Sequence, residues 1–152
     1  MKTVSCLPRG ICSWDFDLLG YGHQGVADFN WANESGMVLA DGGSFRVEKQ
    51  GMTSGRWVLK DGLESLYTAQ KDSAFSRRNE IDGSGLSLVL EPRSWVSRVM
   101  ICRGQETDFT IAPMHCFTRR AKMRGKWTDF RLAAFAFWLS ALMWRRSASN
   151  NS

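Results

Sequence analysis

The chain combines two patterns of apolar and polar positions. From Trp14 to Arg124, short runs of β-favouring residues recur between turn residues, and apolar and polar side chains alternate in many of them. From Leu132 to Trp144 the pattern becomes one continuous apolar run, interrupted only by Ser140. The first pattern predicts many short strands and the second predicts one helix, so we expect a mainly β protein with a single helix near its carboxyl end.

Eleven of the short runs are predicted to be strands. Several intervals between them contain the pairs Asp41-Gly42, Asp61-Gly62, Asp82-Gly83 and Arg103-Gly104. Glycine readily adopts the positive φ that tight hairpin turns require, so consecutive strands should pair as antiparallel hairpins. The predicted strands are residues 14–19, 26–31, 37–40, 44–49, 56–60, 65–70, 77–82, 86–90, 96–102, 107–111 and 118–124.

The terminal apolar run is predicted to be a helix over about residues 130–146. Its apolar side chains point in every direction around a helix axis, whereas a surface helix has one apolar face. A transmembrane helix needs about twenty apolar residues, and the run is shorter. Asp129 can cap the amino terminus, and Arg145 and Arg146 complement the dipole at the other end. The expected core residues of this helix are Phe135, Phe137, Trp138, Leu139 and Leu142.

Such a helix must be covered by strands, because no second helix of comparable quality is predicted. A sheet closed on itself buries every face of the helix and leaves no exposed edge. We therefore expect a closed antiparallel barrel of about 11–12 strands around a buried carboxy-terminal helix. The 152 residues fit one domain, predicted over residues 14–146, with an amino-terminal segment 1–13 and a disordered tail 147–152.

An internal repeat supports a wall of repeated hairpins. Residues 61–81 align with residues 103–123 without a gap, and a looser third copy begins at residues 39–49. A long-period repeat is typical of solenoids and propellers, but two clear copies and one unlike helix favour a barrel. The matched pairs are Gly62 with Gly104, Glu64 with Glu106, Tyr67 with Phe109, Thr68 with Thr110, Phe75 with Phe117, Arg77 with Arg119 and Arg78 with Arg120.

The hairpins such as "DGGSFRVEK", the paired "FSRR" and "FTRR", and the closing "FAFWLSALMWRR" resemble a known barrel superfamily. It comprises the tubby carboxy-terminal domain, the LURP-one-related proteins and the phospholipid scramblases, and the chain is similar above all to uncharacterised small bacterial proteins. The resemblance covers about residues 14–146. It implies a barrel of roughly twelve strands around a helix. Tubby-like domains imply binding of phosphoinositide headgroups through basic residues, and scramblase relatives imply lipid association.

The repeated arginines are the candidate anion-binding residues: Arg77, Arg78, Arg119 and Arg120. Guanidinium groups match phosphate oxygens bidentately, so equivalent strand starts could bring these side chains together around an anion. The alternative is structural, with Phe75 as an aromatic anchor and solvated arginines stabilising the barrel rim. The formal net charge of +5 is compatible with both, because the basic residues are spread over the chain among acidic ones.

Other site chemistry is not indicated. Cys6, Cys12, Cys102 and Cys116 form no zinc-type spacing and are predicted to be free thiols, with Cys102 and Cys116 buried. We therefore predict no metal and no cofactor. None of the common nucleophile, phosphate-loop, dinucleotide or metalloprotease motifs occurs, so no catalytic residue is assigned.

The sequence thus predicts a non-enzymatic barrel that binds anionic lipid headgroups or a protein partner. The alternatives are a small enzyme with an unrecognised site and a nucleic-acid-binding protein. Nucleic acid is disfavoured because the aromatic residues occupy core-like positions instead of a basic stripe. No secretory signal is evident, because Pro8 and Arg9 interrupt the first apolar residues. A cytoplasmic location is expected, peripheral to the membrane if lipid is bound, and the oligomeric state is left open.

Overall fold

The computed structural model describes residues 1–11, 13–51, 55–115 and 118–150, and the described chain forms twelve strands and one helix. The elements are β1 (Lys2–Pro8), β2 (Phe16–Gly20), β3 (His23–Asn30), β4 (Ser35–Ala40), β5 (Gly43–Lys49), β6 (Arg56–Asp61), β7 (Glu64–Lys71), β8 (Asn79–Gly83), β9 (Leu86–Pro92), β10 (Met100–Gly104), β11 (Thr107–Pro113), β12 (Ala121–Lys126) and α1 (Phe130–Asn150).

The strands form a closed antiparallel barrel, as the sequence predicts. Each strand pairs with its neighbours in the chain, and β1 closes the barrel by pairing with β12, where Val4 lies opposite Met123. All eleven predicted strands are present with shifted ends. The twelfth, β1, lies in the segment 1–13 that the sequence analysis placed before the barrel. Its only buried positions are Val4 and Cys6, too few for a clear period-two pattern.

The helix fills the interior of the barrel. Alternate residues of every strand point inward and surround α1, and the five predicted core residues of the helix are at most 1% exposed. The largest is Trp138, whose indole Nε1 donates a hydrogen bond of 2.9 Å to the carbonyl oxygen of Asp28. The helix continues past its predicted end at Arg146 to Asn150, into the predicted tail, and residues 151–152 lie outside the described residues.

The helix packs most closely against β3 and β4. Glycines on these strands permit the approach, because a Cβ at Gly36 would lie 2.9 Å from Nε1 of Trp138 and 2.0 Å from the carbonyl oxygen of Asp28. A Cβ at Gly25 would lie 3.2 Å from the ring of Phe130. Since β9 and β10 lie across the barrel from β3 and β4, more space is left on their side of the helix.

The two ends of the barrel differ in their connections, because consecutive strands are antiparallel. Turns after even-numbered strands form what we call the short-turn end, at residues 21–22, 41–42, 62–63, 84–85 and 105–106, with the segment 127–129 that leads into α1. Connections after odd-numbered strands form the long-loop end, at residues 9–15, 31–34, 50–55, 72–78, 93–99 and 114–120. The predicted pair Asp41-Gly42 is a turn, with positive φ at both residues. The other three predicted pairs lie at or near strand ends, and their turns begin one or two residues later.

Within the described part of the chain, no helix is long and apolar enough to cross a membrane.

Candidate functional site

An open pocket of about 770 Å³ lies at the long-loop end, beside the carboxy-terminal half of α1. Met100, Met143 and Trp144, all largely buried, form its apolar floor on the side of the helix away from β3 and β4. The residues that line it are Pro8, Gly10, Ile11, Trp14, Arg77, Arg98, Met100, Thr118, Arg119, Arg120, Met143, Trp144, Ser147 and Ala148. Four of them are arginines, and no carboxylate is among them.

Four loops around this pocket have the same closure. In the four long loops, 9–15, 72–78, 93–99 and 114–120, the amide of the first residue donates to the carbonyl oxygen of the last, over distances between 2.8 and 3.1 Å. The shared geometry matches a repeat of 21 residues, half the spacing of 42 seen in the sequence. Arg77, Arg98 and Arg119 occupy the same position in three successive loops, so all three reach one pocket.

Two of these arginines form hydrogen bonds with the backbone of a neighbouring loop. Arg77 donates hydrogen bonds of 2.6 Å to the carbonyl oxygens of Ser97 and Trp95. Arg119 donates to the carbonyl oxygens of Ile11 and Ser13 at 2.9 and 3.3 Å. Ile11 and Ser13 are the positions equivalent to Trp95 and Ser97, so both contacts follow from the repeat. The guanidinium groups of Arg77 and Arg119 also lie in the pocket wall, and neither has a carboxylate partner in the described chain.

The remaining arginines divide into two kinds. Arg78 lies outside the pocket and forms ion pairs with Asp72 at 2.7 Å, Glu91 at 3.2 Å and Glu80 at 3.4 Å, which raise the pKa of its guanidinium. Arg120 is exposed in the pocket wall, and among described residues no ion pair involves its side chain. Three of the four sequence-predicted arginines therefore share the pocket, while Arg78 belongs to an outer salt-bridge cluster.

The sequence analysis did not select Arg98. Its guanidinium lies 5.8 Å from the ring centroid of Trp144, whose indole Nε1 donates to the Arg98 carbonyl oxygen at 2.8 Å. This residue is the central member of the 21-residue repeat. An alignment of "FSRR", "VSRV" and "FTRR" would have found it, but Val99 breaks the Arg-Arg pair that drew attention to the other two copies.

Phe75 does not anchor the barrel rim, contrary to the structural interpretation of the repeat. Its side chain is 99% exposed at the tip of the loop 72–78. The physical reason is that this segment is a closed loop and not the start of a strand, so the period-two argument does not apply there. Its repeat partner Phe117 lies outside the described residues.

At the long-loop end, on the side opposite the pocket, charged side chains are paired near the ends of β3 to β6. Glu34 accepts hydrogen bonds from Nε of Arg146 at 2.6 Å and from Nζ of Lys49 at 2.8 Å. The hydrogen bonds from Arg146 lower the pKa of Glu34 to about 2, against the opposing effect of partial burial. Trp57 donates its indole N–H to the Glu34 carbonyl oxygen at 3.2 Å. This cluster ties the end of α1 to the barrel wall.

The short-turn end is closed by paired groups around the start of α1. Asp129 accepts the backbone N–H of Arg131 at 3.0 Å and the hydroxyl of Tyr67 at 2.7 Å, as an N-cap residue does. Burial acts to raise the pKa of Asp129, but the hydrogen bonds from Arg131 and Tyr67 lower it overall. His23 stacks on the ring of Phe130 at 4.2 Å and contacts Asp41 at 2.8 Å.

The other candidate chemistry is structural. Cys6 and Cys102 are buried, and desolvation raises the pKa of both thiols, that of Cys102 to about 12. The predicted burial of Cys116 falls outside the described residues. In the ranges that the structure describes, no three histidine, cysteine or carboxylate side chains lie close enough to hold a metal ion.

Comparisons with known protein families, with curated proteins and with solved structures found no match to this chain. A barrel does not identify a family, so the resemblance to tubby-like, LURP-one-related and scramblase proteins stays a prediction.

Proposed function

We propose that this protein is a non-enzymatic binding module whose long-loop pocket holds the phosphate of an anionic lipid headgroup. The observation that carries the proposal is the composition of the pocket wall, with four arginines and no carboxylate among its described residues. Like charges gathered in this way repel one another, and an anion relieves the repulsion. A relationship to lipid-binding barrels of the tubby-like kind belongs to the same proposal.

The arginines have different parts in the proposed site. Arg98 and Arg120 have exposed guanidinium groups without ion pairs to described carboxylates, so their donors are available to a ligand. Arg119 is held in place by stacking on Trp14, 4.5 Å from its ring centroid, and by its contacts with the first long loop. Prior fixation lowers the entropy lost when a phosphate binds, and planar guanidinium forks match phosphate oxygens.

The apolar floor favours a lipid over a free inorganic anion. Met100, Met143 and Trp144 would contact the glycerol backbone or the first acyl carbons of a lipid whose phosphate meets the arginines. The described wall contains no histidine, carboxylate or cysteine that could transfer a proton or attack a substrate, which supports binding and not catalysis.

The test uses a soluble anionic lipid, so that no membrane is involved. Short-chain phosphatidic acid, kept below its micelle concentration, is titrated by calorimetry against the wild type and the double variant Arg98→Gln/Arg120→Gln. Loss of two charge-assisted contacts should weaken binding by at least about tenfold. The control Arg103→Gln removes an exposed arginine at the short-turn end and should leave the affinity unchanged.

Binding should also weaken with salt, because exposed charges are screened over about 10 Å at 0.1 M ionic strength. Short-chain phosphatidylcholine, whose headgroup carries no net charge, should bind more weakly than phosphatidic acid. Equal affinity of the double variant and the wild type, or no saturable binding at low salt, would contradict the proposal.

A further inference from the structure

The tips of the long loops expose large apolar side chains to water. Ile11 is 98% exposed, Phe75 99%, Trp95 89% and Val96 69%. They lie on three loops, far from one another in the chain, but at the same end of the barrel. The short-turn end also exposes Leu63, at 97%, and Tyr21, at 62%, but in the described chain no pocket lined by several arginines lies beside them. Several exposed apolar tips around such a pocket indicate a surface that is covered in function.

The repeat gives these tips equivalent positions. Ile11 corresponds to Trp95, and Phe75 corresponds to Val96, in loops closed by the same backbone hydrogen bond. The equivalent positions of the fourth long loop are Cys116 and Phe117, which are apolar in sequence and lie outside the described residues. The described tips, Ile11, Phe75, Trp95 and Val96, therefore lie at equivalent places on loops of equal length at the same barrel end.

The four long loops at the end that carries these tips are strongly basic, although Arg9 and Arg78 are paired with carboxylates of neighbouring strands. The four long loops contain seven arginines and two aspartates, a net formal charge of +5, and the whole chain also carries +5. The rest of the chain is therefore neutral overall. The seven arginines are Arg9, Arg77, Arg78, Arg93, Arg98, Arg119 and Arg120. These arginines are scattered along the sequence, and the fold places the loops that carry them at one end of the barrel.

We infer that the long-loop end docks on an anionic lipid bilayer, with Ile11, Phe75, Trp95 and Val96 entering the interface between headgroups and acyl chains. The four pocket arginines then face the phosphate layer, and the barrel axis stands steeply on the membrane. Apolar tips set between basic side chains match a fluid anionic surface, which can fill the space between separate tips. The inference rests on the proposed function insofar as docking would turn the mouth of the pocket towards the headgroups.

The first experiment measures partition of the full chain onto vesicles by co-sedimentation. Vesicles of phosphatidylserine mixed with phosphatidylcholine should bind the wild type, and vesicles of phosphatidylcholine alone should bind it much more weakly. The variant Phe75→Ser/Trp95→Ser should lower the partition coefficient by at least about tenfold. The matched control Leu63→Ser replaces a side chain that is 97% exposed at the short-turn end, and it should bind as the wild type does.

Insertion is measured by fluorescence. Trp95 is 89% exposed, whereas Trp14 and Trp31 are half-buried and Trp57, Trp127, Trp138 and Trp144 are buried, so Trp95 should contribute most of the membrane-dependent change in emission. The emission should shift to the blue on the mixed vesicles and be quenched by lipids brominated on the acyl chain. Most of both effects should disappear in Trp95→Phe, and the part that remains should come from Trp14 at the pocket. Near-ultraviolet circular dichroism of each variant verifies that the barrel is intact.

The outcomes separate this inference from the proposed function. If Phe75→Ser/Trp95→Ser binds mixed vesicles as well as Leu63→Ser does, or if brominated chains do not quench Trp95, membrane docking through the tips is overturned. Short-chain phosphatidic acid should bind this variant and the wild type equally, and that result would leave the pocket proposal standing. Concentration-dependent self-association that the tip variant abolishes, without vesicle binding, would identify a second copy of the chain as the partner instead.

Discussion

The two ends of this barrel are built on the same twelve strands but differ in how their side chains are satisfied. At the short-turn end, Asp129 is bonded to Tyr67 and Arg131, and His23 lies between Asp41 and Phe130. At the long-loop end, the pocket wall has arginines without carboxylate partners among described residues, and the loop tips are apolar and exposed. The polar groups around the start of α1 are paired, although Leu63 and Tyr21 at that end are exposed. The long-loop end keeps these arginines beside exposed apolar tips, which the proposed ligand and membrane would cover.

The long-loop end is itself divided. Glu34, Arg146, Lys49 and Trp57 close the flank near β3–β4, where the helix lies against the wall. The pocket opens on the far flank, where the four long loops meet. The glycines of β3 and β4 let the helix lie close to those strands. As a result, space for the pocket is left on the opposite side of the barrel.

Removing the helix should have the largest effect on both ends. A chain that stops after Phe130 loses the filling of the barrel and exposes inward apolar residues from every strand. We expect insoluble protein, or protein with strand signals but no fixed packing. Solubility and near-ultraviolet circular dichroism measure this, and a soluble, well-folded truncation would show that the helix is not an integral part of the barrel.

Substitution of two tryptophans tests how much the barrel interior and the long-loop end each contribute to the free energy of unfolding. Trp138→Ala should lower the free energy of unfolding by about 3–5 kcal/mol, because it removes a fully buried ring and leaves a cavity. Trp95→Ala should change it by less than about 0.5 kcal/mol, since the ring is exposed and supports nothing. Urea unfolding followed by far-ultraviolet circular dichroism gives both values. A large loss for Trp95→Ala would mean that the loop tips are structural.

Measuring stability against pH tests the cluster of Glu34, Arg146 and Lys49. The pKa of Glu34 lies at about 2 in the folded protein, below its ordinary value of 4.5, so its stabilisation is complete above pH 4.5 and disappears as the pH falls towards 2. The contribution is on the order of 2 kcal/mol after allowance for partial exposure of the side chain. Glu34→Gln should therefore be less stable than the wild type at neutral pH and should lose less stability over this window.

The control for this comparison is Glu64→Gln at the short-turn end, where the side chain is exposed. It should follow the wild-type curve of unfolding free energy against pH. Parallel acid curves for Glu34→Gln and the wild type would show that Arg146 and Lys49 do not lower the pKa of Glu34 in the folded protein.

Much of the architecture could be predicted from local pattern. A run such as Phe45 to Val47 alternates between buried and exposed residues because a strand turns successive side chains to opposite faces. The all-round apolar character of the segment near Trp138 could be satisfied only by enclosure. These inferences succeed because each depends on neighbours a few residues apart. β1 was missed for the same reason: Lys2 and Pro8 flank two buried residues, and only pairing with β12, more than a hundred residues away, makes them a strand.

The site depended on tertiary structure. Arg77 and Arg78 are adjacent in sequence and equally basic. Arg77 donates hydrogen bonds to carbonyl oxygens of the next loop, whereas Arg78 forms ion pairs with three carboxylates outside the pocket. Phe75 has the composition of a core residue and lies at an exposed tip. Side-chain type and spacing specify what a group can bind, but its partners come from strands distant in the chain. The closure of the barrel therefore decided which charged side chains have partners of opposite charge and which have none among the described residues.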